Sequence, residues 1–337
     1  MKKHIRPMVP ALGVLVLLCA AYGAITWQQG RNAKAQALSP ENDSVYMTDL
    51  PELSSLSWTK DDKSLSFTRE GGTWYYKGDK DCPIRQYPLT TLADTLSHLK
   101  AERKLKGADS PEAYGLDNPS VRFDTVSPDG SSHTILLGSQ VPGTGGAGSD
   151  GSQPPAQYYA AMEGDGQIYT IGSYLTETAA KGLYDFVETE SLPHVEGADI
   201  REITVSRNGQ TSRFCKKAVD DAGNIAWYKD SAADESNRLD DNGALNNLAD
   251  IISGLSFQSC VSYKASDEEL SGYGLSDPTM ILSWTYESGD TNGGLTLLIG
   301  SLTEDGTGYY TRKDDSRAVN LISKEAAVRC LNAAYPK

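Results

Sequence analysis

From residue 55 onward, apolar and polar positions alternate in short runs that predict strands. Leu56 and Trp58, then Leu65 and Phe67, alternate with polar neighbours on either side of Asp61-Asp62-Lys63, the pattern of a β-hairpin. Ile203 and Val205 lead through Asn208-Gly209 to Phe214 and Cys215. Asn-Gly between alternating runs is the strongest short-range hairpin signal. A Trp-Tyr strand follows each hairpin, at Trp74-Tyr75 and Trp227-Tyr228. The period then changes. Leu89, Leu92, Leu96 and Leu99 fall at spacings of 3, 4 and 3, and so do Leu245, Leu248, Ile252 and Leu255. Each set predicts one amphipathic helix with its apolar stripe on a sheet. Pro88 opens the first, because proline is tolerated in an opening helical turn.

The chain then returns to strands. Val121 to Phe123 pairs with Thr134 to Leu137 across Pro128-Asp129-Gly130. Met280 to Leu282 pairs with Leu295 to Leu298 across a loop spanning 289–294. Short strands at 168–171 and 319–322 each run into a helix led by a serine, Ser173 and Ser323, with Glu177 and Glu325 near the positive helix end.

These elements occur twice in the same order. Tyr114-Gly115-Leu116-Asp117-Asn118-Pro119 returns as Tyr273-Gly274-Leu275-Ser276-Asp277-Pro278, 159 positions later. Leu136-Leu137-Gly138-Ser139 returns as Leu298-Ile299-Gly300-Ser301 after 162 positions, and Tyr158-Tyr159 as Tyr309-Tyr310 after 151. Drift of a few residues is what loop insertions produce, and a period this long is no solenoid. The expected fold is α+β: two tandem copies of a mainly antiparallel β-sheet domain with packed helices, over residues 46–187 and 188–337. The glycine of YGLxxP is expected to hold a positive φ, the leucine and tyrosine to bury, and the proline to end helix propensity before the next strand.

The amino terminus is different in kind. Lys2, Lys3 and Arg6 lie in a tip of residues 1–7, and no charge follows from Pro7 to Gly30. Residues 8–27 rise ~1.5 Å each as a helix and so reach ~30 Å, the thickness of a bilayer core. A cleaved secretory signal would use the small residues at Ala33, Ala35 and Ala37, which lie well beyond the apolar stretch. A lipoprotein signal is disfavoured by Leu18 before Cys19. The expected reading is a single N-terminal transmembrane helix, a signal anchor over 8–27. It has a cytoplasmic tip, a linker over 28–45 and an extracytoplasmic body in the cell envelope. Arg31 and Lys34 on the far flank weaken the charge contrast that sets this orientation.

A net charge of −14 and no clustered Lys/Arg argue against nucleic acid as a partner. The residues also argue against several chemistries. Gly143-Thr144-Gly145-Gly146-Ala147-Gly148 matches GxGxxG, but Pro154 and Pro155 forbid the helix that a dinucleotide site needs. Ser57 to Lys60 and Ser97 to Lys100 match SxxK without the SDN and KTG partners, and Ser57 reads as a strand residue. His4, His98, His133 and His194 are scattered, with no HExxH and no CxxC. Asp240-Asp241-Asn242-Gly243 reads as helix cap and loop, since Arg238 and Ala249 stand where a calcium loop needs acids. No catalytic, cofactor-binding or metal-ligating residue is singled out, and no cofactor is expected. Cys82, Cys215, Cys260 and Cys330 occupy unmatched positions in the two copies. Free buried thiols are expected, with a Cys215–Cys260 or Cys260–Cys330 bridge as the alternative. In the tyrosine doublets, including Tyr75-Tyr76, alternate rings are expected to face outward as surface aromatics.

The WYYKGD run at Trp74 to Asp79, the leucine-striped helix, YGLxxP, the Leu/Ile-Gly strand and the Tyr-Tyr strand together resemble the bacterial family called domain of unknown function 4340. The resemblance covers about residues 46–337. The second copy departs from it at Trp227-Tyr228-Lys229-Asp230, which lacks the following Gly-Asp. The resemblance implies one amino-terminal membrane segment and a neighbourhood of ABC-type transport components of the gliding-motility kind, and no established activity. The functional expectation is a membrane-anchored extracytoplasmic binding or interaction module. Its partners would be the bilayer through residues 8–27 and an ABC-type permease or other envelope protein. A glycan-acting enzyme using paired carboxylates, or a structural spacer, is the alternative.

Overall fold

The computed structural model describes residues 45–145, 155–221 and 224–333. The expected anchor over 8–27, its tip and nearly all of its linker lie outside them, as do Cys19, His4 and the end of the GxGxxG loop. Among the described residues no helix is long and apolar enough to cross a membrane.

The first copy runs β1 (Val45–Tyr46), β2 (Ser55–Lys60), β3 (Lys63–Glu70), β4 (Thr73–Tyr76), α1 (Gln86–Ser97), β5 (Lys100–Ala101) and β6 (Arg103–Lys104). It continues through β7 (Val121–Val126), β8 (Ser132–Gln140), β9 (Gln157–Met162), β10 (Ile168–Gly172) and α2 (Tyr174–Ala179). The second runs β11 (Ile200–Arg207), β12 (Gln210–Ala218), β13 (Ile225–Lys229), α3 (Gly243–Ser253), β14 (Ser259–Ser262) and α4 (Asp267–Gly272). It ends with β15 (Met280–Ser288), β16 (Thr291–Leu302), β17 (Gly308–Lys313), β18 (Val319–Ser323) and α5 (Lys324–Asn332).

Two eight-stranded antiparallel sheets result, ordered β4-β3-β2-β7-β8-β9-β10-β6 and β13-β12-β11-β15-β16-β17-β18-β14. Strand for strand, the two orders are the same. The chain is a tandem repeat, mostly antiparallel sheet with a few helices. In each copy one helix, α1 or α3, carries the chain from one edge strand of its sheet to the opposite edge. By contacts, one compact unit ends at Ser66 and resumes over Thr90–Ala180, and the other is formed by Phe67–Leu89 and Lys181–Lys337. Residues 67–89 therefore belong to the second unit.

The hairpins form where the sequence places them. Asp61 and Asp62 have φ of 47° and 62°, and Asn208 has 52°, the left-handed conformations that two-residue hairpin turns require. The third hairpin of the second copy is longer than expected. Thr291 to Gly294 read as loop but are strand, paired with Ser288 back to Thr285, so the turn shrinks to Gly289-Asp290. Tyr286 lies opposite Gly293 with its ring where a Gly293 side chain would stand. Glycine here makes room for an aromatic partner.

The leucine stripes are buried throughout: Leu89, Leu92, Leu96, Leu245 and Leu248 are wholly inaccessible. The helices are shifted relative to the stripes. α1 begins at Gln86, two residues before Pro88, and Leu99 and Leu255 lie beyond the helix ends yet remain buried. The tail of the stripe is thus core-directed loop. Ser323 caps α5 by accepting from the Ala326 N–H at 3.1 Å, as expected. Ser173 makes no such bond, since it already has helical φ and ψ and its hydroxyl does not face the first turn.

In the second sheet alternate residues serve two faces. Ile203, Val205, Phe214, Leu282, Leu297 and Ile299 pack with α3 and α5. Leu298 and Val319, on the other face, pack with Leu270 of α4, Leu275 and, more openly, Tyr273 and Tyr310. The tyrosine doublet therefore does not present a free outer ring. Tyr310 packs against Tyr273 with ring centroids 4.5 Å apart, and Tyr159 meets Tyr114 edge-on at 4.7 Å, in both copies the tyrosine of YGLxxP.

Candidate functional site

The recurring motifs turn out to be halves of one joint. Gly115 and Gly274 hold φ of 70° and 69°, which only glycine adopts without strain. Leu116 and Leu275 beneath them are buried. The Ser301 N–H donates to the Tyr273 carbonyl at 2.9 Å. A side chain on Gly300 would strike that same carbonyl, and one on Gly138 would strike the carbonyl of Tyr114. YGL and the Leu/Ile-Gly-Ser strand recur together because each fills the space the other leaves, so this pairing is structural.

A second duplicated device guards the sheet edges. Gln86, at the start of α1, accepts from the Trp74 N–H at 2.7 Å and donates to the Trp74 carbonyl at 3.0 Å. Asn242, at the start of α3, accepts from the Trp227 N–H at 3.0 Å and reaches the Ile225 carbonyl. In both cases a side-chain amide occupies the hydrogen-bonding positions of an edge strand, the positions that otherwise recruit a foreign strand. Asp240-Asp241-Asn242-Gly243 forms the turn into α3: Asp241 accepts from the Gly243 N–H at 2.7 Å, while Asn242 at the helix start turns its amide to β13 rather than to its own first turn.

The open surface lies on the second sheet. A trough of about 660 Å³ is lined by Glu202, Thr204, Arg213, Ser283, Thr285 and Thr296 among others. Arg213, Thr204, Ser283 and Thr296 stand opposite one another across β12, β11, β15 and β16 and form a polar row. The Ser283 and Thr296 hydroxyls bond at 2.9 Å, and Arg213 holds Glu202 at 2.8 Å. The matching row of the first copy is Ser57, Asp124 and Thr134. There Asp124 accepts from Thr134 at 2.6 Å and from Arg122 at 3.1 Å, and Arg122 grips both oxygens of Glu163 at 2.9 and 3.0 Å. These bonds favour the charged guanidinium, led by the bond to Glu163, and push the Arg122 pKa up. The first copy ties the centre of its row into an ion network through Asp124; the second keeps three hydroxyls there, Thr204, Ser283 and Thr296, with an ion pair of its own at the Arg213 end.

A smaller cavity of about 290 Å³ sits elsewhere in the second unit, lined by Asp81, Pro83, Glu190, Cys260, Tyr263 and Lys264 among others. The Tyr263 hydroxyl donates to Asp79 at 2.9 Å, and Lys264 approaches the same carboxylate at 3.7 Å. The Asp79 pKa is lowered, first by the Asp81 N–H at 2.9 Å and then by Tyr263. Burial, then the Asp79 carboxylate, pushes the Tyr263 phenol up. Glu190 accepts from Lys313 and from Asn320, each at 3.0 Å.

Among the described residues no group of three or more His, Cys, Asp and Glu is placed to hold a metal ion. His98, His133 and His194 are not brought together: His98 lies 3.5 Å from Asp49, both well exposed, and His194 is exposed on its own loop. Ser57 is on β2, as read, and the Ser97 hydroxyl donates to the Pro51 carbonyl. Cys82, Cys215, Cys260 and Cys330 are all free thiols. The trough residues escaped a motif search because they are merely the polar members of alternating strands. The cavity residues escaped it because they are scattered from Asp81 to Ala318.

A family model described as domain of unknown function (DUF4340) matches residues 74–240 and again 233–333. No curated protein matches, and no solved structure matches.

Proposed function

For this chain, which belongs to the family of the domain of unknown function DUF4340, we propose the role of an extracytoplasmic binding module, anchored in the bilayer by residues 8–27 and accessory to an ABC-type permease. The trough on the second sheet is its recognition surface. One observation carries this reading: at the centre of the row, where the first copy has Asp124 held in an ion network, the second has the Ser283 hydroxyl, and the face around it is a trough. Duplicated domains that keep the same joint, core and edge caps, but differ in this one face, divide support from recognition.

The chemistry of the row names the ligand class. Thr204, Ser283, Thr285 and Thr296 each donate and accept, and charges of both signs flank them, Arg213 with Glu202 on one side and Lys313, Asp314 and Asp315 on the other. That suits a neutral, hydroxyl-rich chain such as an envelope glycan. The glutamate is engaged by arginine, which favours binding over general acid catalysis.

The test is titration of the full-length protein in detergent with soluble envelope glycan fragments, beside the Ser283→Asp, Thr296→Val double variant. Saturable binding by the wild type, weakened at least tenfold in the variant, is expected. Equal binding by both would refute the trough, and no permease in a pull-down of the anchored protein would refute the accessory role.

A further inference from the structure

The small cavity holds a chemistry that the binding role does not use. Cys260, on β14, lines it, and so do Asp81 and Pro83, the residues on either side of Cys82. Both thiols are buried, Cys82 at 4% exposure and Cys260 at 5%, and both are free. Tyr263 links their surroundings: it lines the cavity three residues after Cys260, and its hydroxyl is bonded to Asp79, whose carbonyl in turn accepts from the Cys82 N–H at 3.2 Å. Cys82 follows a turn, 80–81, rather than lying inside a strand. The chain beyond it is laid along 186–188, with Ile84 bridged to Val187 and the Glu188 N–H bonded to the Pro83 carbonyl at 2.6 Å.

We propose that Cys82 and Cys260 are an oxidisable pair that closes to a disulfide beside this cavity, with a low-molecular-weight disulfide as the oxidant. Cys260 is the one of the two that lines the cavity, so it is the thiol that meets the reagent first. The Cys260 thiolate attacks the external disulfide, one thiol leaves, and a mixed disulfide remains on Cys260. The Cys82 thiolate then attacks that sulfur and releases the second thiol. In balance, two protein thiols lose two protons and two electrons to one external disulfide, which becomes two thiols. The closed bond joins β14 directly to the turn beside β4, so oxidation staples 67–89 to the rest of its compact unit.

The electrostatics set the pace. Burial, then the Asp79 carboxylate, pushes the Cys82 thiol up to about 11. Burial, then the charge on Cys82, does the same to Cys260, also to about 11. Thiolate is scarce at neutral pH, so closure accelerates about tenfold per pH unit between about 7 and 10.

The experiment incubates full-length protein with oxidised glutathione across that pH range, alkylates the remaining thiols and maps peptides by mass spectrometry without reduction. A peptide pair joining Cys82 to Cys260, two hydrogens lighter, reversed by reductant and forming faster with pH, is the expected result. Separate glutathione adducts on the two cysteines, two unmodified thiols, or a link to Cys215 or Cys330 would each overturn the proposal. Cys82→Ser should stop the reaction at a glutathione adduct on Cys260; if that variant does not fold, the wild-type map decides alone.

Discussion

The joint between YGL and the Leu/Ile-Gly-Ser strand can be broken with one carbon atom. In Gly300→Ala the new Cβ would lie closer than 3.0 Å to the Tyr273 carbonyl oxygen and 3.1 Å from Leu275, itself buried. Neither neighbour can retreat, because the carbonyl already accepts from Ser301 at 2.9 Å and the leucine belongs to the small core behind the sheet. Overpacking of this kind costs about 1–3 kcal/mol and the displaced hydrogen bond about 1 kcal/mol, so the expected loss is about 2–4 kcal/mol. For a unit of this size that lowers the melting temperature by about 4–16 °C. Gly272→Ala is the matched control. Gly272 ends α4 two residues before Gly274, a Cβ added there would meet nothing within 4 Å, and the change should gain up to about 1 kcal/mol of helix stability. Urea unfolding followed by tryptophan fluorescence reads both. A Gly300→Ala protein within about 0.5 kcal/mol of wild type, the scatter of ordinary surface changes, would refute the reasoning, as would equal losses in the two variants.

Other contacts make equally definite demands. Gln86→Ala removes three side-chain bonds, two to Trp74 and one to Ile84; a loss of about 2–3 kcal/mol at about 1 kcal/mol each is expected, with concentration-dependent association by light scattering as the β4 edge is exposed. Leu248→Ala, in the middle of the α3 stripe, should cost about 2–5 kcal/mol in chemical denaturation. Cys330 is inaccessible in the core, and burial pushes its thiol from an ordinary 9.0 up to about 11. A raised folded pKa means its contribution to stability is fully present below about pH 9 and is lost as pH rises from about 9 to 11; Cys330→Ser should flatten unfolding free energy against pH in that window. Arg122→Ala breaks an exposed network and should cost no more than about 1 kcal/mol, an effect that shrinks in high salt.

Much of the fold could be read along the chain because local physics decided it. The Asp61-Asp62 and Asn208-Gly209 turns, the leucine stripes and the positive φ of Gly115 and Gly274 are each settled within a few residues. What could not be read depends on distant partners. Thr291 to Gly294 became strand only because Tyr286 folds over Gly293. β6 and β14 are short strands whose identity comes from β10 and β18. In the Tyr158-Tyr159 and Tyr309-Tyr310 doublets one ring was claimed by Tyr114 and Tyr273, far upstream in each copy. The candidate sites were less legible still. Ser283 and Thr296 look like any solvent-facing strand residues until their neighbours across four strands are known, and nothing near Cys82 in sequence points to Cys260.

The glycine pairs of the joint, 115 with 138 and 274 with 300, sit 23 and 26 positions apart. Their spacing is short and their chemistry unforgiving, whereas the loops around them differ in length between the two copies. Such a pair works as a tally mark: each one found along a chain of this kind counts one complete sheet, even where the remaining sequence has drifted beyond recognition.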